Sequence, residues 1–258
     1  MNKYVPFKIN FDNAKKANRI GTILLYISTA LMVAVFVFSK IPIVNSKLLD
    51  WINILNSIII LVLVLIYIIV DYIHFNAETY RRNDLIDNSF NSLLSEDRTQ
   101  EYYTNDNLQS GIYKMGVNNF ESCFFSYKIA KKSLVNSLIK SGVISFIFIY
   151  VAFSGYNEIL FFIIQLAIPL SLITQSIKDL LFVSRLEHIF SEYRTLFDSY
   201  RKSKSHKKYD ASIIRYVLKY ETIISWYNTL LDEKVYNKMN VKLSEEWESI
   251  KNNYSINN

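Results

Sequence analysis

The stretch "IIILVLVLIYIIVDYIHF", residues 58–75, decides how this chain folds. Ile58 to Val70 is thirteen apolar or aromatic residues without a break, and Asp71 and His74 follow at once. An amphipathic helix of a soluble protein shows a polar face on every turn; this stretch shows none, so its whole circumference must meet apolar surroundings. As a core helix it would end in a buried carboxylate and imidazole. As a membrane span it would end where the chain leaves lipid.

The rest of the chain chooses between the two. Apolar residues concentrate in four runs, 20–39, 51–70, 134–154 and 159–177, with strongly polar sequence before, between and after the two pairs. Each run is about 20 residues, and a rise of about 1.5 Å per residue matches it to a hydrocarbon core of about 30 Å. The pattern predicts an all-α, polytopic membrane protein with four transmembrane helices and a helical cytoplasmic region. The third run contains Lys140 and the fourth contains Gln165, Pro169, Thr174 and Gln175. That pair is therefore expected to face protein or water more than lipid. Residues 1–19 are polar, the following run is too long for a signal h-region, and no small-residue cleavage site follows, so the first span is expected to be retained. A single cysteine, Cys123, excludes an intramolecular disulfide framework and a cysteine-rich zinc site.

Lysine and arginine beside spans set orientation. Residues 1–19 carry five, residues 71–135 seven, and residues 178–258 fourteen, whereas the connection 40–50 has only Lys40 and Lys47 and 155–158 has none. Both termini and the middle segment are thus expected in the cytoplasm. The chain divides into a cytoplasmic segment 1–19, a first transmembrane hairpin 20–75, a cytoplasmic helical segment 76–133, a second transmembrane hairpin 134–177 and a C-terminal helical hairpin 178–258. Asp71 and His74 then mark the cytoplasmic exit of the second span, with a proton-handling pair as the alternative.

Within the third run Ser137, Ser141 and Ser145 recur at spacings of four beside Gly142, a stripe suited to close helix packing. In the fourth, Ser171, Thr174, Gln175 and Lys178 fall within an arc of about 100° that could line water, and Gln165 lies beyond a kink expected at Pro169. Lys140 either snorkels to the headgroups or, turned inward, lines a path favouring anions. Below the membrane, a helix is expected to continue from the second span through roughly Ser92, and another to start near Ile112 with Phe120, Phe124, Phe125 and Tyr127 on an aromatic face. The series Leu186, Phe190, Tyr193, Phe197, Tyr200 and the series Ile213, Val217, Tyr220, Ile224, Tyr227, Leu231 read as two amphipathic helices.

Catalytic signatures are lacking: the chain has no Walker loop, dinucleotide fingerprint, zinc-ligand pair or GxSxG elbow, and its histidines, His74, His188 and His206, are scattered. No enzyme activity and no cofactor are expected. In "RRNDLIDNSF", residues 81–90, Asp84 and Asp87 share a helical face; they suit salt bridges with Arg81 and Arg82 between helices or subunits better than an acid/base pair. The turn "RKSKSHKKYD", residues 201–210, offers Arg201, Lys202, Lys204, Lys207 and Lys208 flanked by Tyr200 and Tyr209. It reads either as a solvated turn or as a site for phosphate-rich ligands, since cations beside aromatics hold nucleotides.

This layout, with the "RRNDLIDNSF" element just after the second span, resembles bacterial four-span membrane effectors encoded beside nucleotidyltransferases in antiphage defence. The resemblance implies a gated pore or ion channel of the bacterial inner membrane, built as a homo-oligomer with a tetramer favoured. It implies control by a cyclic nucleotide or oligonucleotide made by the companion nucleotidyltransferase. A non-conducting scaffold that recruits a cytoplasmic partner is the alternative.

Overall fold

The structure is a computed structural model that describes residues 5–41, 45–95, 99, 103–155, 159–203, 205, 207–227 and 231–256, with side chains at all of these except 152, 154, 155 and 159–167. The described residues form six α-helices and no strand: α1 Lys8–Phe38, α2 Ser46–Phe90, α3 Ile112–Gly155, α4 Ile159–Arg201, α5 Asp210–Tyr227 and α6 Glu233–Tyr254. A single 3₁₀ turn, Lys207–Tyr209, precedes α5. The helices start and stop on local chemistry. Asn45 accepts the amide of Lys47, and Asp232 accepts those of Lys234 and Val235, each satisfying donors a helix start leaves open. Asn91 (φ 61°) and Ser255 (φ 54°) take the left-handed conformation that ends α2 and α6. Helices α2, α3 and α4 run for 45, 44 and 43 residues, far beyond the usual globular length, because apolar and amphipathic stretches join in them, and α4 stays helical through Pro169.

The chain forms two compact units, Asp12–Ile73 with Val135–Lys178, and Met1–Phe11 with His74–Leu134 and Asp179–Asn258, and three of the four breaks fall within a few residues of the end of an apolar run. The first, the apolar unit, is centred on Leu25 and Met32 of α1, Ile60 and Leu63 of α2, Ile144, Phe148 and Val151 of α3, and Ile168 of α4. Gly21 lets α1 approach α2 closely, since a Cβ there would lie 3.2 Å from Tyr67 Cε1. Most of its apolar surface still faces outward: Ile58, Leu61, Leu65 and Ile68 of α2 and Ile139, Val143 and Phe146 of α3 are exposed. Only 22 % of the most apolar window of α2 is buried. Water does not tolerate contiguous apolar area of this size, and lipid does.

Helices α1, α2 and α3 are each long and apolar enough to cross a bilayer, the mark of a membrane protein. The fourth expected span, 159–177, overlaps the residues whose side chains fall outside the description. Of the expected packing stripe in α3, Ser145 is buried and Ser137 and Ser141 are half-buried. Gly142 is not part of it: the residue is exposed and a Cβ there would meet nothing within 4 Å.

The second, polar unit has a dense aromatic core. Phe120 of α3 stacks on Tyr193 and Phe197 of α4, each at 5.2 Å between ring centres, and meets Trp247 of α6 edge-on at 5.2 Å. Each of these rings is nearly or fully buried, a transfer that stabilises by about 1.5–3 kcal/mol per side chain. From α5, Ile213, Val217 and Tyr220 close the core, and α6, which adds a third helix to the expected hairpin, contributes Leu243 and Trp247. Gly116 marks the tightest approach, because a Cβ there would sit 2.6 Å from Ile213 Cγ2. Cys123 is a fully buried core residue whose thiol burial pushes up to a pKa beyond reach of thiolate chemistry.

Candidate functional site

The polar unit holds two chains of polar groups, most of them buried. The first runs across four helices. His74 Nε2 lies 3.9 Å from Glu78 on α2, whose other oxygen accepts from Arg81 Nε at 2.7 Å. Arg81 Nη2 reaches Glu221 of α5 at 2.5 Å, the second Glu221 oxygen accepts from Asn119 Nδ2 of α3 at 2.9 Å, and Asn119 Oδ1 accepts from Tyr193 of α4 at 2.7 Å. Burial works against the Arg81 charge, but Glu221 and Glu78 outweigh it, so the guanidinium pKa stands well above its ordinary value. His74 is itself buried, edge-on to Phe11 at 5.6 Å.

The charged residues of "RRNDLIDNSF" find separate partners within the chain. Arg81 makes an inter-helix ion pair, with Glu221 rather than with Asp84 or Asp87, and Arg82 donates to Ser225 Oγ at 2.7 Å. The two aspartates hold the segment that follows α2. Asp84 accepts from the amide and hydroxyl of Thr99, at 2.9 and 2.8 Å; Asp87 accepts from the amides of Leu94 and Ser95 and from Ser92 Oγ, all at 2.7 Å. Burial raises the Asp84 pKa against the Thr99 bonds, whereas at Asp87 burial is outweighed by the donors from Leu94, Ser92 and Ser95, and the pKa falls. One helical face thus carries both because the returning chain presents two sets of amides to it.

The second chain is built on amides. Asn118 Nδ2 donates to Asn88 at 2.8 Å, Asn105 Nδ2 donates to Asn118 at 3.0 Å and to Glu121 at 2.7 Å, and Thr104 Oγ1 donates to Glu121 at 3.1 Å. Trp247 Nε1 donates to the same threonine at 3.2 Å, and Lys251, buried, pairs with Glu248 at 2.6 Å. Burial lifts the Glu121 carboxyl to about 7 in spite of the bonds from Thr104 and Asn105. These groups pin the segment 103–106 to α2, α3 and α6. Among the described residues no group of three His, Cys, Asp or Glu side chains could hold a metal ion.

The basic turn joins α4 to α5. Tyr200 stacks on Tyr113 at 4.6 Å, and Tyr209 donates to the Ser199 carbonyl at 3.1 Å. Arg201 and Lys202 share Asp198, at 2.9 and 2.6 Å. Lys208 Nζ lies 5.1 Å from the Tyr209 ring centre, Lys207 is exposed, and Lys204 and His206 lie outside the described residues.

In the apolar unit, Ser171 and Thr174 are exposed and Gln175 and Lys178 half-buried. The hydroxyls of Ser171 and Thr174 donate to the carbonyls of Ile168 and Leu170, both at 2.8 Å, which lets this face of α4 lie against apolar or polar neighbours alike. Lys140 Nζ sits 5.0 Å from the ring centre of Tyr26 on α1, so its charge is held by an aromatic face. The Gln165 side chain lies outside the description.

Sequence reasoning missed Glu78, Glu221, Asn118, Asn119, Glu121 and Lys251. Glu78 stands three residues before Arg81 and could have been read as its partner. Lys251 likewise stands three residues after Glu248, whereas Glu221, Asn118, Asn119 and Glu121 carry no local signal, since each meets partners on another helix or in the segment 103–106. No protein-family model matches the chain, and no curated protein and no solved structure matches it significantly.

Proposed function

We propose that the chain is one subunit of a homo-oligomeric, gated pore with four spans, α4 supplying the fourth, and with both termini on the cytoplasmic side. The observation that carries this reading is the α4 arc. Thr174 and Ser171 are exposed in the single chain, beside half-buried Gln175 and Lys178, on a helix whose other exposed residues there, Leu170, Ile173 and Ile177, are apolar. Several copies placed around an axis would turn that arc toward water and the apolar surfaces of α2 and α3 toward lipid. The resemblance in layout adds the physiological setting: a bacterial inner-membrane effector of antiphage defence, gated by a nucleotide or oligonucleotide from a companion nucleotidyltransferase.

Liposomes loaded with a self-quenched dye or a potassium gradient test the pore directly. Purified protein should release the contents, and Thr174→Leu with Gln175→Leu should slow release at least tenfold while membrane insertion persists. Tight liposomes at protein-to-lipid ratios that insert fully would overturn the pore. The scaffold reading would then gain, favoured by Leu93 and Leu94, which are 80 % and 57 % exposed on the segment that Asp87 holds in place.

A further inference from the structure

A groove of about 560 Å³ lies between α4 and α5 of the polar unit, lined by Ser184, Arg185 and His188 from one helix and Lys219, Thr222 and Ile223 from the other. Its cations are not equivalent. Lys219 Nζ is held by Glu192 at 2.6 Å, and His188 Nε2 lies 3.4 Å from the same carboxylate. Arg185 has no carboxylate partner among the described residues; its guanidinium lies over Trp226, with its centre within 4.5 Å of the ring's. Glu192 offsets one of the two permanent positive charges, so the groove keeps a net positive charge. A guanidinium held by an aromatic face has its N–H edges pre-oriented, and paired N–H groups match two oxygens of a phosphate. The Ser184 hydroxyl, exposed on the same lining, makes no hydrogen bond to another group among the described residues.

We propose that this groove binds a phosphate ester, with Arg185 taking two non-bridging oxygens and Lys219 and Ser184 the remainder. The volume exceeds that of a bare phosphate, leaving room for the alcohol part over Ile223. Two sources share this chemistry: the headgroup of an anionic phospholipid, since Ser184 and Arg185 follow the apolar run of α4 by about two turns, and a soluble nucleotide. The nucleotide case rests on the proposed signal-controlled pore and places its ligand between α4 and α5 instead of at the basic turn. The lipid case stands without it.

Full-length protein in neutral detergent is titrated with radiolabelled ADP by equilibrium binding, and the same preparation is examined by native mass spectrometry for retained phosphatidylglycerol against phosphatidylcholine. Arg185→Gln should weaken whichever probe binds at least tenfold, Lys219→Gln several-fold, and Lys207→Gln, on the basic turn, not at all. Unchanged thermal midpoints certify that the variants fold, and Trp226 emission should shift on binding in the parent but not in Arg185→Gln. ADP binding lost in Arg185→Gln assigns the groove to a soluble phosphate; phosphatidylglycerol retention lost in that variant assigns it to lipid. Binding of neither probe, or binding indifferent to Arg185, overturns the proposal. Dye release reports separately: a protein that binds through Arg185 yet never leaks keeps the groove and loses the pore, and a leaking protein that binds neither probe does the reverse.

Discussion

Replacing Arg81 by methionine tests whether the buried ion chain holds the polar unit together. The side chain is 9 % exposed and bridges Glu78 and Glu221, whose side chains are 10 % and 12 % exposed. Arg81→Met keeps most of the packing volume but removes the shared cation, leaving two carboxylates in an enclosed site. Breaking a buried pair in this way costs about 3–5 kcal/mol, because the charge left behind has lost its water and gained nothing. For a unit of this size each kcal/mol moves the unfolding midpoint by about 2–4 °C, so a fall of roughly 6–20 °C is expected. The assay is tryptophan-detected thermal unfolding in detergent. Adding Glu221→Gln to Arg81→Met should recover about half the loss, since the amide oxygen introduced by that change can still accept from Asn119 and Glu78 alone remains to be neutralised. The comparator is Lys202→Met, whose exposed pair with Asp198 is worth less than about 1 kcal/mol. An Arg81→Met midpoint no lower than that of Lys202→Met, or a double variant worse than the single, would refute the account.

Three further outcomes follow from the same geometry. Gly116→Ala gains about 1 kcal/mol in helix propensity but places a methyl 2.6 Å from Ile213 Cγ2; overpacking of about 1–3 kcal/mol should win, and in thermal unfolding Ile213→Ala should cost less in the Gly116→Ala chain than it does alone. Glu121, lifted to about 7, keeps its proton in the folded state after the unfolded chain has lost it, so its contribution is complete below about pH 4.5 and declines as pH rises to 7. Urea unfolding of Glu121→Gln against pH should lack that decline, which amounts to about 3 kcal/mol; an unchanged slope would place the titration elsewhere. Asp87→Asn, which exchanges two strong acceptor oxygens for one, should expose residues 91–95 to limited proteolysis several-fold faster while α2 and α3 stay intact, as read by mass spectrometry of the fragments.

Much of the helical architecture was legible because it depends on properties that a residue carries by itself. Ile58 to Val70 has no polar face, and no arrangement of neighbours can give it one, so an apolar environment is dictated before any fold is known. The aromatic positions Phe120, Tyr193, Phe197 and Tyr220 repeat at helical spacing, and that spacing alone sends them inward. The helix starting at Ile112 is likewise announced by local pattern, with Gly111 at φ 148° just before it.

The site residues were legible only in part. Asp84 and Asp87 stand beside Arg81 and Arg82 in the sequence, and proximity suggested a pairing. In the fold, Arg81 turns to α5 and the aspartates turn to the amides of residues 94, 95 and 99. Likewise, Tyr200 stands beside the cationic turn in the sequence, while its ring partner in the fold, Tyr113, lies 87 positions upstream.

By itself the sequence determined that the chain is helical, that three of its helices are long and apolar enough to cross a bilayer, and which faces of the amphipathic helices turn inward, since hydropathy and periodicity act over one turn of one helix. Tertiary structure alone decided which buried polar group meets which: Arg81 with Glu221, Asn105 with Glu121, Arg185 over Trp226. A hydrogen bond or ion pair is a relation of a few ångströms between atoms that the chain may separate by more than a hundred residues, and nothing local to either partner encodes the other.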